Sequence, residues 1–456
     1  MHAIMTRTLP ADLPDVLQRC ETFRAAGRID AAFEVLVEAL ARCPECAELH
    51  FAMSGVLRDA GEPEQAIAAC EAALRLRPDF AFAYNRLGFL HERAGRPLAA
   101  LLAYDGAAAA APRWHLPWHN QAALCLALGR HRRAEHALRE ALLREPGHAA
   151  SHNALAQLLL ADGRYDEGWR HYEWRFENEG AAPAHPGTTA PVWNGEALDG
   201  DVVMVWIEQG LGDHLQFARC VRVIAERGGR AWLQVPAPLY DLYASLADVE
   251  RLIRQDEPVE GYDWQLPLLS LARIAGAPHG PEVAPVPYLH APPLHDDARA
   301  VLSAHGDGAR RIGIVWGSLP THPAARIRDC DLRELARLAD VDGVRLYSLQ
   351  FGEPGRAIAG YPAIVDLGNV LGDFASTAAI VMALDLVVTV DTAMAHLAGA
   401  LGKPVWLLVG EPADWRWQRE REESPWYPTM RLFRQRVPGE WGEVIDRVAE
   451  ALAEKN

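Results

Sequence analysis

Residues 61–95 read GEPEQAIAACEAALRLRPDFAFAYNRLGFLHERAG, and this stretch decides how the first third of the chain folds. It begins and ends on a glycine, and the 34-residue step between them continues to Gly27 on one side and to Gly129 and Gly163 on the other. A period of this length marks a stack of similar units, none of which can bury its apolar face alone. Other residues keep the same phase, at Ala32, Ala66, Ala100 and Ala134, at Ala39, Ala73, Ala107 and Ala141, and at Pro44, Pro78, Pro112 and Pro146.

Each recurring residue type has a physical role in a pair of helices. The glycine stands where one helix ends and the chain turns, often with a positive φ. The alanines let the paired helices approach closely, and the proline ends the second helix before the next unit begins. The pattern resembles the tetratricopeptide repeat, with four full units over about residues 13–146 and a partial fifth through Trp169, Tyr172 and Trp174. We therefore predict an α-solenoid domain over residues 10–175.

A solenoid of this kind presents a surface that commonly binds peptides or proteins. We expect the repeats to dock a protein partner, although the sequence does not identify it. The other interpretation is a spacer or a dimerisation element, so the sequence is also compatible with an oligomer.

The period of the apolar residues changes after a loop over residues 178–201. Short apolar runs then alternate with helical stretches, which indicates an α/β region whose parallel strands are covered by helices on both faces. A proline-rich segment, residues 284–293, divides this region into predicted Rossmann-like domains over 190–295 and 296–456, with a ligand held between them. The predicted strands are 202–207, 231–235, 312–316, 344–349, 384–390 and 405–409, and the predicted helices include 215–227, 332–339, 375–383 and 393–401.

The composition narrows the function classes. Half of the 456 residues are hydrophobic and the formal net charge is −16, so a nucleic-acid-binding protein is not expected. Only two of the 45 basic residues are lysines, Lys403 and Lys455, so an anion site must use arginine side chains or backbone amides. No apolar run is long enough to span a membrane, and residues 1–7 lack the apolar core of a signal peptide. The seven cysteines form no framework, and the Cys43–Cys46 pair has no second pair to complete a zinc site, so we expect a cytoplasmic protein.

The first of three strand-to-helix turns reads Glu208-Gln209-Gly210-Leu211-Gly212-Asp213. Its two glycines, Gly210 and Gly212, let the backbone approach a ligand closely. Asp213 is either a reactive carboxylate at the open end of the sheet or a helix N-cap. The residue pattern of this turn does not match the dinucleotide-binding fingerprint, so NAD binding is weakly supported.

The second turn follows the strand at 312–316. It contains two arginines that suit a diphosphate, because guanidinium groups pair with phosphate oxygens, or that are simply solvated. Its candidate residues are Trp316, Gly317, His322, Arg326 and Arg328.

The third turn contains Asp391, Thr392, Ala393 and His396, after the buried run at 384–390. The free amides of a new helix suit an anion there, and Thr392 can bond a phosphate oxygen. Asp391 can accept hydrogen bonds from sugar or ribose hydroxyls. His396 either belongs to the site or packs against the sheet.

These three turns, with Ser348-Leu349-Gln350 and the run from Trp415 to Thr429, resemble the nucleotide-sugar glycosyltransferases of the GT-B fold. The resemblance covers about residues 191–448 and is greatest to the bacterial heptosyltransferase-like enzymes fused to tetratricopeptide repeats. The layout is also similar to that of the O-linked N-acetylglucosamine transferase. The resemblance implies two Rossmann-like domains in a GT-B arrangement.

The resemblance also implies roles for individual residues. Asp213 would be the general base, the turn from Asp391 to His396 would hold the phosphates and sugar of the donor, and Gln350 would contact the nucleotide. Heptosyltransferases place a lysine near the phosphates, and here Arg326 or Arg328 would replace it.

The sequence therefore predicts a glycosyltransferase, without a metal or other cofactor, that moves a sugar from a nucleotide-sugar to a protein docked by the repeats. Flagellin is one candidate acceptor, by analogy with flagellin glycosyltransferases of the same arrangement. One alternative is a lipopolysaccharide or another glycan as the acceptor. A second is a repeat scaffold that binds nucleotide without catalysis, which Ala325 supports because the family usually has aspartate there. The Asp-x-Asp pairs at 329–331 and 340–342 match a cation motif by letter, but their positions predict a helix cap and a turn.

Overall fold

The computed structural model describes residues 12–177, 190–280, 283–305, 308–318 and 325–454. The chain divides into two compact units, Met1–Leu155 and Ala156–Asn456.

The first unit consists of the predicted helix pairs. Successive helices pack in antiparallel pairs, and the ninth helix, α9 (Ala149–Ala161), ends in the second unit. The preceding helices are α1 (Leu13–Ala25), α2 (Ile29–Arg42), α3 (Ala47–Asp59), α4 (Pro63–Leu76), α5 (Ala81–Arg93), α6 (Pro97–Ala110), α7 (Leu116–Ala127) and α8 (His131–Arg144).

The repeated glycines and alanines have the predicted roles. Each repeat glycine has a positive φ, from 66° at Gly129 to 81° at Gly61, in the left-handed region that ends a helix. The repeat alanines lie where the helices of a pair meet, and Ala32, Ala66 and Ala100 are completely buried. A larger side chain there would push the paired helices apart.

The second unit begins with the end of the repeat array and continues into a four-stranded parallel sheet. Helix α10 (Tyr165–Tyr172) and a 3-10 turn (Glu173–Glu177) precede the sheet, whose strand order is β3-β2-β1-β4. Its strands are β1 (Val202–Trp206), β2 (Arg230–Val235), β3 (Arg251–Arg254) and β4 (Trp264–Pro267), and its helices are α11 (Leu211–Phe217), α12 (Arg222–Glu226), α13 (Tyr240–Tyr243) and α14 (Ser270–Ala275).

A six-stranded parallel sheet follows, in the order β10-β9-β8-β5-β6-β7. This is the order of a doubly wound sheet, in which the strand order reverses between the parallel strands β5 and β8 and ligands bind at the carboxyl ends of those strands. The strands are β5 (Arg310–Val315), β6 (Val344–Ser348), β7 (Ile364–Asp366), β8 (Leu386–Val390), β9 (Val405–Val409) and β10 (Met430–Arg434). The helices are α15 (Asp296–Ala304), α16 (Ala325–Arg328), α17 (Leu332–Ala336), α18 (Phe374–Met382), α19 (Ala393–Ala400) and α20 (Gly442–Ala453).

One apolar core joins the two sheets within this unit. It includes Val203 and Leu215 from the first sheet and its helix, and Val387 and Leu397 from the second. The carboxyl edges of both sheets are therefore held in one packed body, and the candidate site lies there.

The predicted strands are present, but one predicted helix is wrong in its bounds. The helix expected over 215–227 begins four residues earlier, at Leu211, and a 3-10 turn (Ala218–Val221) interrupts it. The structure also contains β3, β4, β7 and β10, which the apolar runs did not predict. Each of these four lies at the edge of a sheet, where a strand has one neighbour and needs no long apolar run.

Across the part of the chain that the structure describes, no helix is both long enough and apolar enough to cross a membrane.

Candidate functional site

The turn after β1 places Asp213 inside the first turn of α11. Gly210 is the N-cap residue, so Asp213 is the third residue of the helix and not its cap. Asp213 Oδ2 accepts a hydrogen bond from the backbone N–H of Gly210 at 3.0 Å, which stabilises the start of the helix. The preceding residue, Gln209, has a φ of +60°, a value that non-glycine residues rarely adopt.

The other oxygen of Asp213 is bound to Arg416. Arg416 Nη2 donates to Asp213 Oδ1, and Arg416 Nε donates to Gln216 Oε1 at 2.8 Å. The same guanidinium donates through Nη1 to Asp414 Oδ1 at 3.0 Å and lies 4.2 Å from the ring centroid of Trp415. The Arg416 side chain is only 10% exposed, so it is held on several sides within the protein.

Asp414 extends this arrangement to the second sheet. Asp414 Oδ2 lies 3.1 Å from Arg328 Nη2, and Arg328 Nε lies 3.2 Å from Asp391 Oδ2. The charge chain Asp213–Arg416–Asp414–Arg328–Asp391 therefore alternates in sign and runs from the turn after β1 to the turn after β8.

Three groups of the charge chain, Asp391, Asp414 and Arg416, have shifted pKa values. Burial raises the pKa of Asp391 to about 6, and the negative charge of Asp414 adds to the effect while Arg328 opposes it. Burial also acts to raise the pKa of Asp414, but the charge and hydrogen bonds of Arg416 prevail and lower it. Burial disfavours the charge on Arg416, but Asp414 and Asp213 outweigh it and raise the pKa of the guanidinium.

Gly212 brings the first helices of the two sheets together. A Cβ at Gly212 would lie 3.1 Å from His396 Cδ2 and 3.6 Å from Cα of Ala393. The close approach that this glycine permits is therefore to α19 of the second sheet, and a side chain would separate α11 from α19.

His396 and Thr392 lie at the start of α19. His396 Nδ1 is 3.0 Å from the hydroxyl of Tyr427, and its ring stacks on Trp417 with centroids 5.3 Å apart. Burial lowers the pKa of His396 to about 3, so the ring is neutral at physiological pH. Thr392 is the N-cap residue of α19, and its Oγ1 lies 3.3 Å from Oγ1 of Thr389.

Gln350 holds the backbone at the end of β5. Its Oε1 accepts from the N–H groups of Trp316 at 3.0 Å and Gly317 at 2.9 Å, and its Nε2 donates to the carbonyls of Gly317 and Phe351. These contacts of the side chain are all to main chain. Among the other candidates in this turn, Arg326 is exposed and His322 lies outside the described residues.

The structure brings some of the candidates into one pocket at the carboxyl edge of the second sheet. Arg328 and Asp391 line it together with Asp414, Trp417 and the segment after β9. Trp316 and Gln350 do not line this pocket.

The corresponding edge of the first sheet is filled by the end of the repeat array. Arg175, in the 3-10 turn, donates through Nε and Nη2 to the two carboxylate oxygens of Glu208, both at 2.7 Å. Glu208 Oε1 also accepts from the N–H of Leu269 after β4, at 2.9 Å. The hydroxyl of Tyr172 is 2.9 Å from Nε2 of Gln209, so α10 and the turn after it support the turn that carries Asp213.

The candidate metal motifs have other contacts. Asp331 caps α17 by accepting from the N–H of Arg333, and Asp329 accepts from Ser318. Cys43 and Cys46 are free thiols. Within the residues that the structure describes, no group of three or more His, Cys, Asp or Glu is arranged to hold a metal ion.

Comparison with known proteins identifies the repeats and a relative. The tetratricopeptide repeat family matches residues 21–79, 52–113 and 121–168. Protein FlbA of Caulobacter vibrioides is 31% identical over 441 residues, covering 87% of this chain and 71% of that protein. The chain belongs to the FlbA family.

Solved structures of other proteins share a smaller part of the chain. A Pseudomonas aeruginosa PilF structure is 20% identical and covers 35% of this chain and 73% of its own, with a TM-score of 0.34. A thermophilic tetratricopeptide repeat protein of Thermus thermophilus is 24% identical and covers 36% of this chain and 90% of its own, with a TM-score of 0.30. These likenesses carry no information on the function of this FlbA-family chain.

Three residues of the site of this FlbA-family chain were not predicted from the sequence. Asp414 and Arg416 form the centre of the charge chain, and Trp417 packs on His396. The run Trp415-Arg416-Trp417 was part of the family resemblance, but a sequence does not show that Arg416 meets Asp213 about 200 residues away. The signal available was the acid-Trp-Arg order at 414–416, which places two opposite charges in one short turn.

Proposed function

We propose that the second unit is a GT-B glycosyltransferase that uses a nucleotide-sugar donor, and that the repeats dock its protein or peptide acceptor. The observation that carries the proposal is the charge chain, which joins Asp213 at the edge of one parallel sheet to Asp391 at the switch point of the other. A transferase needs an acceptor-side carboxylate and a donor-side anion site within reach of each other, and this network supports that requirement.

The donor would bind at the carboxyl ends of β5 and β8. The N-terminal amides of α19 and the guanidinium of Arg328 suit the diphosphate, and the exposed Arg326 can contribute a second positive charge. Asp391 and Trp417 line the adjoining pocket and suit the hydroxyls and the face of a sugar ring. The neutral His396 contributes shape and hydrogen bonding and no positive charge.

The acceptor hydroxyl would react at Asp213. Its oxygen attacks the anomeric carbon of the donor sugar as its proton passes to Asp213, and the bond from that carbon to the phosphate oxygen breaks. The departing nucleoside diphosphate takes the electron pair. Arg416 contacts Asp213 in this structure, and in the reaction it turns to the leaving phosphate while it keeps Asp414 as a partner.

A second candidate is a scaffold that binds nucleotide without catalysis. It is favoured by the contacts of Asp213, whose two oxygens are both occupied by donors in this structure. An enzyme that acts on lipopolysaccharide or another glycan is a variant of the first proposal and differs from it only in the acceptor.

The test is release of nucleotide from UDP-, GDP-, ADP-, CMP- and dTDP-sugars by the whole chain, with water or flagellin as the acceptor. We expect turnover with at least one donor, and the same turnover in EDTA. Asp213→Asn keeps an oxygen for the Gly210 N–H but loses the ion pair with Arg416 and cannot take a proton, so we expect a folded variant of somewhat lower stability and a turnover lower by ~10²–10⁴.

The turnover of this variant and of the wild type together decide between the transferase and the scaffold. If Asp213→Asn turns over at the same rate as the wild type, Asp213 is not the general base. Nucleotide binding without turnover for any donor would favour the scaffold.

A further inference from the structure

The first helices of three neighbouring repeats form a groove lined by aromatic rings. We call it the aromatic groove, and it includes Phe51, Arg58, Phe82, Arg86, Phe89 and Trp114. Phe82 is 57% exposed and Phe89 is 42% exposed, so two large apolar rings of the same groove face solvent. Phe82 also packs on Trp114, with ring centroids 4.7 Å apart, so these two rings form one apolar surface.

The groove also contains a positive charge without a matching carboxylate. Arg86 Nη1 donates to the carbonyl of Phe51 at 2.7 Å and to Oγ of Ser54 at 3.1 Å, and its Cζ lies 3.7 Å from the Phe51 ring centroid. Among the described residues, no carboxylate lies within ion-pair distance of Arg86. Burial lowers the pKa of Arg86 to about 10, and the positive charges of Arg58 and Arg24 act in the same direction while the more distant charge of Asp59 opposes them, so the guanidinium stays charged at neutral pH.

The neighbouring arginines do not supply the missing negative charge. Arg24 and Arg58 both bind one carboxylate, that of Asp59, with Nη2 of each at 2.6 Å from an Asp59 oxygen. Arg24 also pairs with Glu21, whose side chain is 65% exposed. Arg24 and Arg58 therefore share the carboxylate of Asp59, whose side chain is 24% exposed, and Arg86 does not contact it.

The helix beneath these arginines is shaped to accept them. A Cβ at Gly55 of α3 would lie 3.0 Å from Arg86 Nη1 and 3.3 Å from Cζ of Arg24. Glycine in a helix interior is destabilising relative to alanine, so its use here reflects the space that the guanidiniums need.

We propose that the aromatic groove binds a peptide segment in which a carboxylate side chain stands next to an aromatic or large aliphatic one. The carboxylate pairs with Arg86, and the apolar side chain covers the exposed rings of Phe82 and Phe89. The inference that this peptide is the acceptor rests on the proposed function, whereas the binding itself does not.

The test uses two fluorescein-labelled twelve-residue peptides, identical Gly–Ser sequences with Glu–Phe or Gln–Phe at the centre. Fluorescence anisotropy with the whole chain measures their dissociation constants without donor or turnover, so failure of glycosyl transfer and failure of this inference are distinguishable. We expect the Glu–Phe peptide to bind about tenfold more tightly than the Gln–Phe peptide at low salt, because hydrogen bonds to charged groups are stronger than neutral ones.

Three variants complete the test. Arg86→Gln should abolish the discrimination between the peptides, and the exposed Phe82→Ala should weaken both by several-fold without affecting folding. Arg113→Gln, at an exposed arginine outside the groove, should change neither constant.

Equal binding of the two peptides by the wild type, or discrimination retained in Arg86→Gln, would overturn the inference. A sedimentation coefficient that differs between Phe82→Ala and the wild type would also overturn it, because a second copy of this chain would then occupy the groove.

Discussion

Asp391 and Asp414 both contact Arg328, but their pKa values shift in opposite directions. The difference comes from Arg416, which contacts Asp414 directly and stabilises its ionised form. At Asp391, burial and the charge of Asp414 outweigh Arg328 and the weaker effects of Trp417 and Arg416, and the pKa is raised to about 6. The donor side of the proposed site therefore loses negative charge on mild acidification.

This titration predicts the pH dependence of donor binding. A diphosphate binds better when Asp391 is protonated, because repulsion falls and Arg328 is freed for the phosphate. We expect the affinity for a nucleotide-sugar to rise as the pH falls from about 8 to about 6, by at most about tenfold per pH unit for one proton. Calorimetry at several pH values would measure it, and the diphosphate of a nucleotide-sugar carries no terminal phosphate that titrates in this range.

Asp391→Asn is the matched variant for this prediction. Asparagine fits the same space without a titrating group, so its donor affinity should change little over the same pH range. Two results would contradict the titration of Asp391 as the cause. One is a donor affinity that rises with pH in the wild type, and the other is the same pH dependence of donor affinity in Asp391→Asn.

At the residue scale, the sequence identified Asp213, Arg328 and Asp391 of the charge chain but not Asp414 and Arg416. Asp213 and Asp391 follow buried strands, and that position alone marks them as candidates. Asp414 and Arg416 follow β9 at a greater distance, and their importance comes from partners far along the chain. The sequence-based role of Gln350 stays a prediction, and its contacts in this structure are to the backbone of Trp316 and Gly317.

At the scale of elements, the last repeat helix and the turn after it are part of the second unit. Trp169 of α10 donates through Nε1 to the carbonyl of Ala277 at 2.8 Å, and Arg175 pairs with the buried Glu208. The predicted repeat domain ends at residue 175, whereas the division into compact units comes before Ala156. Periodicity detects the repeat but cannot tell which body its last helix packs on.

These contacts predict the effect of removing Arg175. Arg175→Ala leaves the carboxylate of Glu208 buried without its partner, which should lower the free energy of unfolding by about 3–5 kcal/mol. Arg170→Ala, at an exposed arginine of α10, should have little effect. Urea unfolding followed by circular dichroism measures both, and equal stability of the two variants would contradict this role of Arg175.

The same elements explain which parts of the α/β region were predictable. Central strands such as β8 and β9 are buried at every position, so their apolar runs stand out. The edge strand β3 begins and ends on an exposed arginine and buries only Ile253, so its sequence does not read as a strand. Helix α11 was placed too late because its first turn contains a glycine and an aspartate and follows a second glycine, which favour a loop by composition.

At the scale of the whole molecule, a repeat array and two parallel sheets occur in one acidic chain whose cations are almost all arginines. The strand order of the larger sheet places its switch point between β5 and β8, where α19 begins and Arg328 and Asp391 meet. The sequence predicted the repeats and the parallel strands because both have strong periodic signals. The network between the sheets depends on tertiary packing, which no local pattern contains.

The most direct test of the central claim is a thermal-shift measurement of the whole chain with UDP-, GDP-, ADP-, CMP- and dTDP-sugars. A ligand that binds only the folded state stabilises it, by about 2.7 kcal/mol at a concentration of about 100 times its dissociation constant. We predict that at least one donor raises Tm, that Arg326→Ala with Arg328→Ala abolishes the shift, and that Arg333→Ala, at an exposed arginine of α17, retains it. A Tm unchanged by every donor, or a shift of equal size in the double variant, would contradict a nucleotide-sugar site at this edge of the sheet.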